Sequence, residues 1–265
     1  MYNNFKLGLI ILLTLMQVFQ YRIFSLKISK IIYILFVSCV VFLMNTQIKV
    51  HGNVNNFKNN NLLIMSNHYD GYSDGNIIYN LYYKHNSIET LHTIVKADIL
   101  GNPEDGQKIL QITNCIKNSV IDSCYFIPYK RGDKEDGKNV KNIVVDSLNN
   151  GKNILVFPEG CTHKDGIPRE FKNGIFQLAV ENKLRILPIT LKYEKDIGSE
   201  KGEPLKFSNL FDNVCNVYIH DLIDETDECY KANDSLALKQ KVFDVISAPM
   251  GVTPHTPHSG ENIIL

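Results

Sequence analysis

Neither sign of charge is in excess: 28 Lys and Arg stand against 28 Asp and Glu. That balance argues against nucleic acid as a partner, because nucleic-acid binders carry a basic surplus. Acids are also missing locally. None precedes Asp70, whereas Lys6, Arg22, Lys27, Lys30, Lys49 and Lys58 all do. Basic residues flanking apolar stretches suit an anionic lipid surface. The six cysteines form no CxxC pair and no His/Cys group with zinc-ligand spacing, which argues against a zinc site. So few cysteines in a chain this long argue against a secreted disulfide framework. Reduced, mostly buried thiols in a cytosol-facing protein are expected instead.

No uncharged run reaches the roughly 20 residues that span a bilayer squarely. Two come close, Leu7 to Tyr21 and Ile31 to Met44, with Arg22, Lys27 and Lys30 between them. Flanking cations can snorkel and lengthen such runs. Two tilted spans, one span with an interfacial helix, and two interfacial or re-entrant segments are the possible arrangements. If both span, the basic loop between them faces the cytoplasm. Gln17 to Phe24 contains no small-x-small cleavage site, so the segment is not a removable signal peptide. Neither run shows a polar face at helical spacing, which favours an anchor over a soluble core helix. Residues 1–47 are therefore read as a membrane anchor.

From 48 to 248 strand and helix patterns alternate. Apolar strand-like runs lie at Leu62–Met65, Thr93–Val95, Tyr125–Ile127, Ile154–Phe157, Ile186–Leu191 and Val214–Ile219. Helical stripes lie at Asn139–Asn149 and Phe171–Asn182. Such alternation implies an α/β fold, a mostly parallel sheet with helices on both faces. No internal repeat is present. Residues 249–265 are Pro-rich and aperiodic, the pattern of a flexible tail, and its His255 and His258 read as tail residues rather than ligands.

Chemistry concentrates at strand ends, where open α/β sheets place their sites. His68 follows the Leu62–Met65 strand and precedes a helix beginning near Asp74. A neutral imidazole can take a proton at physiological pH, and a nearby carboxylate would hold its tautomer and stabilise the imidazolium. Asp74 and Asp70 are both candidates for that carboxylate. Lys130 and Arg131 end another strand, and Arg grips phosphate with a two-pronged donor geometry. Phe157-Pro158-Glu159-Gly160-Cys161-Thr162 turns from strand into loop. Gly160 allows close backbone approach to a ligand, and Glu159 can order neighbouring donors or a substrate hydroxyl. Lys172 adds a cation beside a helix start, which favours anions.

These pieces, in this order, resemble the glycerolipid acyltransferase family, the enzymes acting on glycerol phosphate and lysophospholipids. The resemblance covers about residues 45 to 195. Asn67, His68 and Asp74 resemble the family's Asn-His-x-x-x-x-Asp block. Phe126-Ile127-Pro128-Tyr129-Lys130-Arg131 resembles its Phe-Ile-x-Arg block. Phe157 to Thr162 resembles Phe-Pro-Glu-Gly-Thr, and Leu187-Pro188-Ile189 resembles a Val-Pro-Val strand. Val50-His51-Gly52 looks like the family's lead-in, Lys96 like a lysine between the first two blocks, and Phe171-Lys172-x-Gly174 like the segment after the third. The chain departs in three places. Asp74 lies one residue further from His68 than the family spacing, Arg131 follows extra residues, and Cys161 precedes Thr162.

The resemblance implies transfer of a fatty acyl group from acyl-CoA or acyl carrier protein to 1-acyl-glycerol-3-phosphate, giving phosphatidic acid. Another lysophospholipid or glycerol-3-phosphate is the alternative acceptor. It implies His68 as general base, Asp74 as its orienting acid, and Lys130, Arg131, Glu159, Gly160 and Thr162 at the acceptor, with Asn67, Asp70, Lys96 and Lys172 nearby. The partners are then a lipid bilayer, a lysophospholipid and acyl-CoA as co-substrate, with no metal or bound cofactor. Two rivals are a non-catalytic lipid-binding protein and a thiol enzyme using Cys161 and His163.

Overall fold

The computed structural model describes Leu9 and residues 26–70, 73–86, 91–97, 126–163, 166–195 and 211–251. Its centre is a 7-stranded sheet in the order β1-β7-β6-β2-β5-β3-β4. The strands are β1 (Gln47–Gly52), β2 (Leu62–Ser66), β3 (Leu91–Lys96), β4 (Phe126–Tyr129), β5 (Asn153–Val156), β6 (Arg185–Tyr193) and β7 (Val214–Ile219). β2 to β6 run parallel to one another. β7 runs antiparallel to β6, and β1 runs parallel to β7. The sheet is mostly parallel, as expected, with two reversed strands at one edge. Five of the six strand-like runs begin or end a residue or more away from the observed strand, and Val214–Ile219 coincides with β7.

β1 is a strand that the apolar pattern did not single out. Its residues are almost all exposed, so no alternation of buried and exposed positions marks it. It is recruited by register against β7, from Gln47 opposite Val214 to Gly52 opposite Ile219. Gly52 ends it at φ 97°, where an added Cβ would lie 2.0 Å from the Ile219 carbonyl oxygen. Only glycine fits there.

The helices are α1 (Leu26–Met44), α2 (Ser73–His85), α3 (Lys134–Asn149), α4 (Gly174–Glu181), α5 (Glu228–Lys231) and α6 (Ser235–Ser247). Side chains alternate across a strand, and β2 divides accordingly. Leu62 and Ile64 join α1 and α2 in one apolar layer, while Leu63 and Met65 join α3, α4 and α6 in the other. Helices thus cover both faces. α3 extends five residues before the expected stripe, because the Asp133 carboxylate accepts the Glu135 and Asp136 amides and starts it earlier.

The apolar N-terminus is corrected in part. Among the described residues no helix is long and apolar enough to cross a membrane. Ile31–Met44 belongs to α1, and its Val37, Val40, Val41 and Met44 are buried in the core. That i, i+3, i+4, i+7 spacing is a helix face packed on α2. The stripe is hidden in sequence because the opposite face is apolar too, with Leu35 and Phe42 exposed. The other run, Leu7–Tyr21, lies outside the described residues apart from Leu9.

The start of the expected tail is tied to the domain. Ala248–Met250 form a 3-10 turn, the Pro249 carbonyl accepts from Lys192 Nζ at 2.7 Å, and Met250 Sδ accepts from the Tyr69 hydroxyl at 3.8 Å. His255 and His258 lie outside the described residues. Among the described residues the thiols are less buried than expected: Cys215 is buried, Cys39 and Cys229 are half-buried, and Cys161 is exposed; Cys115 and Cys124 lie outside the described residues.

Candidate active site

The strand order decides which loops meet. β2 lies between β5 and β6, so the His68 loop leaving β2 sits beside the Glu159 loop leaving β5. β3 separates β5 from β4, which puts Arg131 two strands away from Gly160, about 10 Å at normal strand spacing. A long Arg side chain crosses that gap, and the Arg131 guanidinium donates to the Gly160 carbonyl.

His68 and Asp74 are brought together. His68 Nδ1 donates to Asp74 Oδ2 at 2.9 Å. Asp74 is in the first turn of α2 and fully buried, and the His68 side chain is 16% exposed. The same Oδ2 accepts the amides of Tyr69 at 2.6 Å and Asp70 at 3.0 Å. The Tyr193 hydroxyl donates to Oδ1 at 3.1 Å. A carboxylate so fully engaged has one orientation, and it fixes the imidazole proton on Nδ1, leaving the lone pair on Nε2. The ring stacks on Phe157, with centroids 4.0 Å apart and planes 17° off parallel. Both ring face and tautomer are therefore set before any substrate arrives.

Asp74 reaches the imidazole despite the extra residue between it and His68. Asp70, the other candidate, does not touch the imidazole. Its Oδ1 accepts the Ser73 amide at 2.8 Å and its Oδ2 the Ser73 hydroxyl. It stabilises the start of α2, where the helix dipole favours negative charge.

Glu159 is a framework residue rather than an open substrate contact. It is 1% exposed. Its Oε1 accepts the His68 amide at 3.0 Å, and its Oε2 accepts the Arg169 amide at 2.9 Å. Burial pushes its carboxyl up to about 8, against the opposing pull of those two amides. Of the two roles open to it in sequence, ordering neighbouring donors is the one this geometry fits. Gly160 adopts φ 68°, a left-handed turn that suits glycine and that presents its carbonyl to Arg131.

Asn67 is buried and wholly occupied by backbone: its amide donates to Leu191 O at 2.9 Å and Gly166 O at 3.0 Å, and its carbonyl accepts from Leu191 N at 2.8 Å. It locks the His68 loop onto β6. Lys130 is exposed beside Arg131, its amide bonded to Asp136 Oδ2 at 2.6 Å. Lys172 is exposed, and its amide donates to Pro158 O at 2.8 Å, two residues before α4 begins. Thr162 is half-buried on the β5 loop, and Lys96 is half-buried at the end of β3.

Cys161 Sγ lies 3.4 Å from His163 Nε2, and that same nitrogen lies 3.3 Å from Glu159 Oε2. A relay needs the base to face the thiol with one nitrogen and the acid with the other. One nitrogen facing both is not that arrangement.

Tyr193 is the residue that sequence reasoning missed. Leu187, Ile189, Leu191 and Tyr193 share one strand face and one core layer with α2. Period-two counting from Leu187 would have placed Tyr193 on the side where Asp74 lies.

Known proteins share this architecture. The crystal structure of the 1-acyl-sn-glycerophosphate (LPA) acyltransferase PlsC from Thermotoga maritima superposes with a TM-score of 0.62 over 94% of this chain and 92% of that one. At 18% identity the likeness is one of fold. The chloroplastic 1-acyl-sn-glycerol-3-phosphate acyltransferase LPAT1 of Arabidopsis thaliana is 34% identical over 65 residues, which is 24% of this chain and 18% of the plant enzyme. The family model described as Acyltransferase matches residues 47–192, from the start of β1 almost to the end of β6, and includes every residue placed at the site except Tyr193. This chain belongs to the Acyltransferase family.

Proposed function

We propose that the protein transfers a fatty acyl group from a thioester, acyl-CoA or acyl carrier protein, to the free hydroxyl of 1-acyl-glycerol-3-phosphate, forming phosphatidic acid. The observation carrying this reading is the His68 Nδ1–Asp74 Oδ2 bond of 2.9 Å. It presents an unprotonated Nε2 as general base. His68 takes the hydroxyl proton, the oxygen attacks the thioester carbonyl, and the carrier thiol leaves. No acyl-enzyme forms. Arg131, with Lys130 beside it, holds the acceptor phosphate. Asp74 stabilises the imidazolium. Glu159 and Asn67 hold the loop that carries the base. The family membership and the two named relatives support the acyl-transfer chemistry and the acceptor class.

The reading extends to the bilayer. The acid-free start of the chain and the exposed Leu35 and Phe42 of α1 suit a protein attached to a membrane at its N-terminus, with its catalytic domain on the cytoplasmic side.

The test is His68→Ala with a labelled acyl-CoA and a panel of lysophospholipid and glycerol-3-phosphate acceptors. Transfer should fall by roughly 10²–10⁴-fold, the range for loss of a general base. Undiminished transfer by that variant would reject the mechanism. A wild type that binds lysophosphatidate but turns over no thioester would make this a binding protein.

A further inference from the structure

The two oxygens of Asp74 are served unequally. Oδ2 takes the His68 imidazole and two backbone amides. Among the described residues Oδ1 takes one donor, the Tyr193 hydroxyl at 3.1 Å. A carboxylate without exposed surface stays charged only while its oxygens are hydrogen-bonded. The second oxygen rests on that one bond.

Tyr193 is placed to supply it. It is buried at the end of β6. Its ring packs edge-on to Tyr69, with centroids 4.9 Å apart and planes 77° apart. Two residues earlier, both backbone groups of Leu191 are bonded to the Asn67 side chain. One strand thus holds the loop of the base and the donor to its acid. The phenol has a second acceptor in reach, Ser73 Oγ at 3.3 Å, but a charged acceptor draws its proton more strongly than a neutral one. Ser73 donates its own hydroxyl proton to Asp70, so it does not serve Oδ1 in place of Tyr193. Burial, and next the Asp74 charge, push the phenol well above its ordinary range, so it stays a donor. The other ionisable groups here are Asp70 and Cys215 around the phenol and Glu159 near Asp74. Burial pushes the Cys215 thiol up, so it adds no charge.

We infer that Tyr193 is a positioning residue for the transfer reaction: its hydroxyl pairs Oδ1, holds Asp74 in the charged form and so sets the strength of the His68–Asp74 bond. This rests on the proposed role of His68 as general base. Without the hydroxyl the bare oxygen takes a proton more readily. While the group stays charged, its charge gathers on Oδ2, against the imidazole. A tyrosine placed for packing alone would also seek a partner for its hydroxyl, but its loss would leave the His68 ring unchanged.

The experiment compares full-chain wild type, Tyr193→Phe and Tyr230→Phe. Phe at 193 keeps the ring and its packing on Tyr69. Tyr230 is the control: its buried hydroxyl donates to the Leu184 carbonyl in the other core layer. With acyl-CoA and 1-acyl-glycerol-3-phosphate, kcat/KM is followed against pH wherever each protein is folded by circular dichroism. In Tyr193→Phe it should fall about tenfold on the low-pH limb, near the low end of what one hydrogen bond to a charged group is worth. It should recover to within a few-fold of wild type at the high-pH plateau. Tyr230→Phe should lose stability and keep a profile parallel to wild type. Glu159 titrates in all three proteins, so the comparison is between profiles. The second readout needs no turnover. In 15N-histidine-labelled protein at the plateau pH, the Nδ1-bound proton of His68, identified by its absence from His68→Ala, should move downfield in Tyr193→Phe and stay in place in Tyr230→Phe. Site-specific 3-fluorotyrosine at 193, a stronger donor in the same place, should move it upfield. Parallel profiles for wild type and Tyr193→Phe, or a resonance indifferent to both changes at 193, would overturn the assignment. A wild type that turns over no thioester would sink the transfer reading, and the resonance would still decide whether Tyr193 acts on the His68–Asp74 pair.

Discussion

At the scale of single residues, the candidate site separates open side chains from buried ones that hold the loops in place. Asp74 and Asp70 are chemically alike and four residues apart, yet one bonds the His68 imidazole and the other holds the start of α2. Asp74→Asn should therefore lower kcat by roughly 10²–10⁴-fold, because an amide can stabilise neither the tautomer nor the imidazolium. Asp70→Ala should leave kcat within a few-fold and instead cost about 1 kcal/mol of stability, as helix-cap losses do. Parallel kinetics and denaturant unfolding of the two variants check this. Glu159 makes a pH prediction. Its folded value, about 8, lies above the ordinary 4.5, so the folded state holds its proton more tightly. Its contribution to stability is complete below pH 4.5 and is lost as pH rises to about 8. Glu159→Gln should flatten that part of the stability–pH profile, measured by thermal unfolding between pH 5 and 8. An unchanged slope would mean that other groups produce it.

At the scale of elements, α1 shows why an apolar run is an ambiguous signal. Burial in lipid and burial against a neighbouring helix select the same residue types. Val40 is 0% exposed and Phe42 is 80% exposed, two positions apart on one helix. Val40→Ala should cost about 2 kcal/mol, from the lost methyl groups and the space they leave. Phe42→Ser should change stability by less than about 0.5 kcal/mol, as surface substitutions do. Comparing denaturant midpoints distinguishes the two positions, and equal losses would mean that α1 does not pack by its 37, 40, 41, 44 face. The strands carried a clearer signal. β2 is buried on both sides, and its unbroken apolar run reads as an interior parallel strand. β1 is exposed along its length and was legible only through its partner.

At the scale of the whole molecule, the sheet order makes the site. Arg131 and Gly160 are far apart in the chain, and they meet because the parallel strands β4 and β5 end on one edge of the sheet with only β3 between them. Arg131→Lys keeps the charge but loses the planar fork. It should raise KM for the lysophospholipid acceptor by roughly tenfold, about the 1.4 kcal/mol that one charge-assisted hydrogen bond of the fork is worth, with KM for acyl-CoA unchanged. Initial rates with each substrate varied in turn measure it, and a rise in the acyl-CoA value instead would move Arg131 to the donor. The sequence alone determined the α/β class, the strand-end positions of His68, Arg131 and Glu159, and the order of the family blocks, because periodicity and turn chemistry act over a few residues. Only the tertiary structure decided which aspartate bonds His68, that Glu159 faces backbone amides, and that Tyr193 reaches Asp74. Those choices depend on which strands lie side by side, and strand adjacency is set by packing across the whole sheet rather than by any local stretch of chain.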